Sequence, residues 1–223
     1  MNAKQAAGYR AAELVREGMT VGLGTGSTAY YAIEKIGEMV AAGLGIRAIA
    51  TSKASEELAA KYNIPLVPAA DVDRLDIAID GADEVDPDMA LIKGGGGALL
   101  REKLVAVQSD RFVVIADSLK RVAHLGQFKL PIEIVPFCYE WTLRLLRSRY
   151  HVTIEMRMDG DELYVTDNGN YIADAAFGKI ESPGKLSDEL KATTGVVEHG
   201  LFVDIAHTVI IGYDDGRTEV IEK

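Results

Sequence analysis

The chain has 223 residues, and its 24 Lys and Arg against 34 Asp and Glu leave a formal charge of −10. With 48% hydrophobic and 26% charged residues it has ordinary globular usage, which excludes disordered, collagen-like and disulfide-scaffold classes. A single cysteine, Cys138, rules out an internal disulfide, and the acidic balance argues against the basic footprint of a nucleic-acid binder.

The spacing of Ala7, Ala11, Leu14 and Val15 predicts a helix over 3–17, stopped by Gly18. Residues 19–23 read as a buried strand, and the Gly24-Thr25-Gly26-Ser27-Thr28 run leads into a helix with Ala29, Ile33, Ile36 and Val40 on one face. A strand over 46–51, a helix over 56–62 and a strand over 75–80 follow. Residues 91–93 precede four glycines, 94–97, then a helix over 98–108 and a strand over 112–116. This alternation predicts an α/β fold, a Rossmann-like parallel sheet with helices on both faces.

The texture changes after about residue 128. A strand over 132–135, a helix over 138–148, strands over 151–156, 162–166 and 171–175, and a helix over 186–192 predict a smaller α+β unit of ferredoxin-like type. The Asp167-Asn168-Gly169-Asn170 run is a hairpin signal for the last two of those strands. Residues 201–206 and 208–213 read as strands that return to the first domain. The expected division is therefore 1–127 with 199–223 as a discontinuous catalytic domain, and 128–198 as an insert that serves oligomerisation. Cys138 and Trp141 read as core of that insert. No apolar run approaches the roughly 20 residues of a bilayer span, and the first residues carry no apolar signal core. The expectation is a cytoplasmic protein.

Ligands of open α/β sheets bind outside the carboxyl ends of the strands, and four successive strand ends here carry donors, acids or glycines. In the first, Gly24 and Gly26 let the backbone approach an anion, while Ser27 and Thr28 add hydroxyls at a helix N-terminus. The alternative is a tight turn capped by Ser27 or Thr28. A dinucleotide fingerprint fails, because Ser27 stands where a third Gly belongs and the next strand ends without an acid. A phosphate-loop NTPase fails for want of Gly-Lys-Ser/Thr. A small phosphorylated ligand fits better.

The second strand end is Asp80-Gly81-Ala82-Asp83-Glu84, whose Asp80 and Asp83 can accept hydrogen bonds from sugar hydroxyls; a divalent cation on these carboxylates is the rival. The third is Lys93-Gly94-Gly95-Gly96-Gly97, a glycine run costly in backbone entropy and therefore suited to closely surrounding a ligand. Glu102 falls in the first turn of the following helix, where the dipole favours an ionised carboxylate able to act as a base; taken alone, a first-turn glutamate on the surface is the more ordinary reading. The fourth is Ala116-Asp117-Ser118-Leu119-Lys120, in which Lys120 can reach a phosphate.

Together the Gly24–Thr28, Asp80–Glu84 and Lys93–Ala98 motifs, followed by Arg101-Glu102-Lys103, resemble ribose-5-phosphate isomerase, type A. So do the Leu130–Pro136 and Thr166–Asn170 motifs, and order and spacing agree along essentially the whole chain. Leu100 departs from the Thr or similar polar residue of many members, and the stretch 147–157 has no clear counterpart. The resemblance implies interconversion of ribose 5-phosphate and ribulose 5-phosphate, in the non-oxidative pentose phosphate pathway, without metal or organic cofactor. It implies Glu102 as the proton acceptor, Lys93 as the group that stabilises the enediolate oxyanion, and Asp80 and Asp83 as hydroxyl-binding residues that assist ring opening. Thr25, Gly26, Ser27, Thr28, Gly81, Ala82, Gly94, Gly95, Gly96 and Lys120 would complete the substrate site, with a homodimer or homotetramer as the assembly. A non-catalytic sugar-phosphate sensor is the second hypothesis; it would need neither Lys93 nor Glu102, and no DNA-binding module fits in the chain. A coenzyme A transferase on a related fold is a distant third.

Overall fold

The computed structural model describes all 223 residues. In chain order its first elements are α1 (Ala3–Ala12), β1 (Thr20–Leu23), α2 (Ser27–Ala41), β2 (Arg47–Ala50), α3 (Lys53–Lys61), β3 (Ile77–Gly81), β4 (Glu84–Val85), β5 (Leu91–Ile92), α4 (Leu99–Val107) and β6 (Phe112–Asp117). There follow β7 (Leu130–Ile134), α5 (Tyr139–Tyr150), β8 (Thr153–Met156), β9 (Met158–Asp159), β10 (Glu162–Leu163), β11 (Tyr171–Ala176), α6 (Pro183–Lys191), β12 (Val196–His199), β13 (Leu201–Phe202), β14 (Thr208–Gly212) and β15 (Thr218–Glu222). No helix is long and apolar enough to cross a membrane. Two compact units emerge, one of Met1–Ala82, Arg101–Arg121 and Ile205–Lys223, the other of Asp83–Leu100 and Val122–Asp204.

The first unit is built on a six-stranded sheet of order β15-β14-β6-β3-β1-β2, parallel throughout except for the antiparallel β14–β15 pair. Every residue of β1, β6 and β14 is buried, which is why these segments read as continuous apolar runs rather than alternating ones. Val21, Leu23, Ile33, Ile36, Ile79 and Ile115 form the centre of its core, with Ala7 and Ala11 bringing α1 close. The chain runs from β1 outward to β2 and then returns to the other side of β1 with β3. The topological switch point therefore lies between β1 and β3, and ligands of such sheets sit beyond the carboxyl ends there. The helix α1 is shorter than the apolar spacing predicts: after Ala12 the Leu14 and Val15 N–H groups bond Ala11 and Ala12 carbonyls in tighter turns, 3.0 Å each.

In the second unit, β12-β7-β11-β8 form an antiparallel sheet with α5 and α6 in the order β-α-β-β-α-β, the ferredoxin-like arrangement expected. Ile132, Ile134, Leu143, Leu146, Ile154 and Leu190 lie in its core. A second small sheet, β13-β5-β4, belongs to the same unit.

The division differs from the expected one, because residues 83–100, 122–127 and 199–204 fall in the second unit. Residues 91–93 look like one more buried parallel strand, yet β5 pairs antiparallel with both β4 and β13. The buried Glu84 carboxylate fastens this layer by accepting the Gly126 and Phe128 N–H groups, both at 2.6 Å. The expected hairpin also differs: β10 pairs with β9, and only a Val165–Tyr171 bridge reaches β11. The Asp167–Asn170 turn is fixed instead on buried Glu133, which accepts the Thr166 hydroxyl at 3.0 Å and the Asn170 amide at 2.9 Å. Trp141 is 63% exposed rather than core, and Cys138 is only half-buried; Leu143 and Leu146 form the inward face of α5.

Candidate active site

Within the first unit the loop after β1 is fastened to the end of β3. Asp80, 2% exposed, accepts the Thr25 N–H at 3.0 Å and the Gly81 N–H at 2.7 Å through one carboxylate oxygen. Only glycine fits at position 24, since a Cβ there would collide with the Asp80 carboxylate and Cα. Asp80 is thus a loop anchor as well as a candidate hydroxyl acceptor. Gly26, at φ +103°, is the N-cap of α2 and makes no side-chain cap, so the turn is not the one capped by Ser27 or Thr28 that the sequence left open. The 15-residue α2 directs its first N–H groups outward past exposed Gly26 and Ser27, an anion-binding arrangement.

Two further contributions to this loop carry no sequence signal. Lys4, from the first turn of α1, places Nζ 2.9 Å from Ser27 Oγ and supplies a cation where the helix dipole already favours negative charge. Behind Thr25 lies a set of buried hydroxyls: its Oγ1 is 2.7 Å from Thr51 Oγ1 and 2.8 Å from Ser52 Oγ, and Ser55 Oγ donates to the Gly24 carbonyl at 2.6 Å. Glu34 of α2 accepts the hydroxyls of Tyr9 at 3.0 Å and Tyr62 at 3.1 Å, which ties α1 and the end of α3 to α2. Hydrogen bonds to Tyr30 and Glu34, with burial, hold the Tyr62 phenol well above its ordinary range. A cavity of about 860 Å³ opens here, lined among others by Lys4, Gly24, Gly26, Ser27, Ser55 and Ser118.

The remaining first-unit residues are placed as follows. Lys120 is half-buried in the single 3₁₀ turn that follows β6, the strand beside β3. Gly81 closes β3 and Ala82, half-buried, follows it. Glu102 lies in the first turn of α4 and is 5% exposed. Its helix is held close to the sheet at β1, where a Cβ on Gly22 would sit 2.5 Å from Val105.

Within the second unit, Lys93 is among the largest fully buried side chains, at 2% exposure. Its Nζ stands 5.4 Å from the Phe202 ring centroid, and its backbone N–H donates to the Gly200 carbonyl at 2.9 Å. A buried ammonium is costly to maintain, and an aromatic face offsets part of that cost. The glycines after it have conformational work to do, since Gly94 and Gly97 hold φ of +101° and +80°. Gly95 and Gly96 are exposed, and the Gly95 N–H donates to Asp83 Oδ2 at 2.7 Å. Asp83 therefore anchors the glycine loop much as Asp80 anchors the β1 loop. Arg157, within the 147–157 stretch that has no clear family counterpart, donates to the Gly94 and Gly95 carbonyls of the same loop.

The carboxylates of Asp80 and Asp83 are thus engaged by backbone N–H groups, and no group of three or more His, Cys, Asp or Glu side chains assembles as a metal site. Each unit thus carries chemically capable groups: an anion-receptive loop and a buried first-turn carboxylate in the first, a buried lysine in the second.

Residues 47–216 match the family model of ribose 5-phosphate isomerase A (phosphoriboisomerase A). The chain is 50% identical over 220 residues to ribose-5-phosphate isomerase A of Bacillus mycoides, covering 98% of this chain and 99% of that one. Among solved structures, a D-ribose-5-phosphate isomerase in complex with phospho-erythronic acid superposes with a TM-score of 0.95 at 38% identity, over 100% of both chains. The ribose 5-phosphate isomerase of Plasmodium falciparum superposes with a TM-score of 0.94 at 38% identity, over 99% of this chain and 97% of that one. The chain belongs to the ribose-5-phosphate isomerase A family.

Proposed function

We propose that this chain interconverts D-ribose 5-phosphate and D-ribulose 5-phosphate through an enediolate, with Glu102 as the base. In the aldose-to-ketose direction Glu102 takes the C2 proton of the open-chain sugar and, after exchange with solvent on the carboxyl, delivers a proton to C1, while the hydroxyl proton of O2 is exchanged for one on O1. Negative charge develops on the C1 oxygen as C2 is deprotonated, and Lys93 stabilises it; a preorganised cation in a dry site costs no reorganisation at the moment of reaction. Asp80 and Asp83 accept hydroxyls of the sugar and assist ring opening, beside Gly81, Ala82 and the Gly94, Gly95 and Gly96 backbone. Thr25, Gly26, Ser27 and Thr28 hold the phosphate with Lys4 and Lys120. The observation that carries this reading is the pair of buried charged residues, Lys93 and Glu102, that flank the glycine run in a chain of this family. The relative solved with phospho-erythronic acid fits it, since that ligand joins a phosphate to a carboxylate, the charge pattern of a phosphorylated enediolate.

The reaction needs no metal or organic cofactor. Chelator-treated enzyme is expected to convert ribose 5-phosphate at the untreated rate in a coupled or circular-dichroism assay. Loss of rate that Mg²⁺ restores would return Asp80 and Asp83 to the metal reading. Lys4→Ala is expected to raise KM for ribose 5-phosphate by about tenfold, the worth of one charge-assisted contact of roughly 1.5 kcal/mol, with kcat little changed. An unchanged KM would remove Lys4 from the phosphate site.

The same proposal takes the protein as a cytoplasmic homodimer or homotetramer that associates through the second unit. Phe137, Trp141 and Leu145 support it, being 82%, 63% and 52% exposed at four-residue spacing along and just before α5. Light scattering on the wild type and on Trp141→Glu tests the assembly.

A further inference from the structure

We infer that Arg157, held by Asp174, is a positioning residue that fixes the peptide planes of the glycine loop. The inference rests on the reading of Lys93 and its loop as catalytic machinery. Arg157 follows β8, with its backbone locked by a 2.8 Å bond from its N–H to the Ile172 carbonyl and a 2.9 Å bond from the Tyr164 N–H to its own carbonyl. Its guanidinium forms a two-pronged pair with Asp174 of β11, Nε to Oδ2 at 3.0 Å and Nη2 to Oδ1 at 2.6 Å. The two side chains are only 15% and 18% exposed, so this is a fork geometry sheltered from water. The remaining nitrogen, Nη1, donates to the Gly94 carbonyl at 2.8 Å and the Gly95 carbonyl at 3.2 Å.

Those two bonds determine where the loop's donors point. A trans peptide sets C=O and N–H on opposite sides. Carbonyls of Gly94 and Gly95 drawn to one guanidinium nitrogen therefore turn the Gly95 and Gly96 N–H groups away from it. The Gly95 N–H meets Asp83 Oδ2 at 2.7 Å, while Gly96 is exposed. Four successive glycines would otherwise sample many peptide orientations, because none has a Cβ to restrict it. The Arg157–Asp174 fork removes that freedom from outside the loop. It holds Asp83, the Gly96 N–H and the chain just after Lys93 in one arrangement before substrate arrives. Arg157 touches no reacting atom and acts through the loop.

The test is steady-state kinetics on Arg157→Ala and Arg157→Lys, with Lys93→Met as reference and thermal unfolding of each. Misplacing catalytic groups by about 1 Å costs on the order of 10²-fold in rate, so Arg157→Ala is expected to lose about that factor in kcat with KM within about threefold. Lysine keeps the charge but not the fork, and Arg157→Lys should stay well below wild type. Low millimolar guanidinium should restore part of the Arg157→Ala rate while sodium chloride at equal ionic strength does not, a response that a merely stabilising role would not produce. Wild-type kcat per folded molecule in either variant overturns the inference, even if the unfolding temperature drops. If Arg157→Ala does not fold, Arg157→Lys alone decides. Loss of rate in Lys93→Met without loss in the Arg157 variants sinks this inference only; an unaffected Lys93→Met sinks the catalytic reading of the loop and this inference with it.

Discussion

Glu102→Gln is expected to lower kcat on the order of 10³- to 10⁴-fold while KM for ribose 5-phosphate stays nearly constant. The amide keeps the shape and most of the hydrogen-bonding surface of the carboxylate but cannot carry a proton between carbons. Glu102 sits in the first turn of α4 at 5% exposure, so little of the side chain is open to solvent that could take over the transfer. The measurement is initial rate against substrate concentration in both directions. The equilibrium constant is unchanged by the substitution, so forward and reverse kcat/KM must fall by the same factor, which checks the two assays against each other. A variant that retains near-native turnover would take the base role away from Glu102.

Lys93→Met should cost about 10²- to 10³-fold in kcat, the range found when one preorganised donor to a developing oxyanion is removed. Methionine is close in length and unbranched, so it fills the space of a side chain that is 2% exposed without leaving a cavity. The variant is therefore expected to fold while being far slower. Loss of rate with folding intact marks a residue retained for catalysis. Unchanged kcat would undo the oxyanion assignment, and a large drop in unfolding temperature would show that Lys93 serves mainly to hold the second unit together.

What the sequence made legible was local. The Gly24–Thr28 turn, the acids after β3 and the Lys93–Gly97 run each lie within a few residues, and each strand end could be recognised by where apolar residues stop. Lys4 could not be found this way, because its partner Ser27 is 23 residues away and nothing in the first helix marks that lysine among other surface charges. Nothing in the sequence ties Ser52 and Ser55 to Thr25, which their hydroxyls reach from 27 and 30 residues away. Arg157 lies 63 residues from the Gly94 carbonyl it holds. Residues 83–100 are hard to place for a different reason. A two-residue buried strand looks alike whether it continues a parallel sheet or pairs antiparallel with β13, and only the long-range partner settles which. Trp141 was misread through the presumption that a large apolar side chain is inside, which holds poorly on a helix with one face uncovered.

Proton transfer by Glu102 through an enediolate is tested most directly by NMR of ribose 5-phosphate in D₂O with chelator-treated enzyme, wild type beside Glu102→Gln. Solvent deuterium should appear at C1 of the ribulose 5-phosphate formed by the wild type and be absent on the same timescale with the variant. Product formed without deuterium at C1 at any stage of conversion would point to direct hydride transfer or to a base fully shielded from exchange. Deuterium incorporated as fast by the variant as by the wild type would contradict the account.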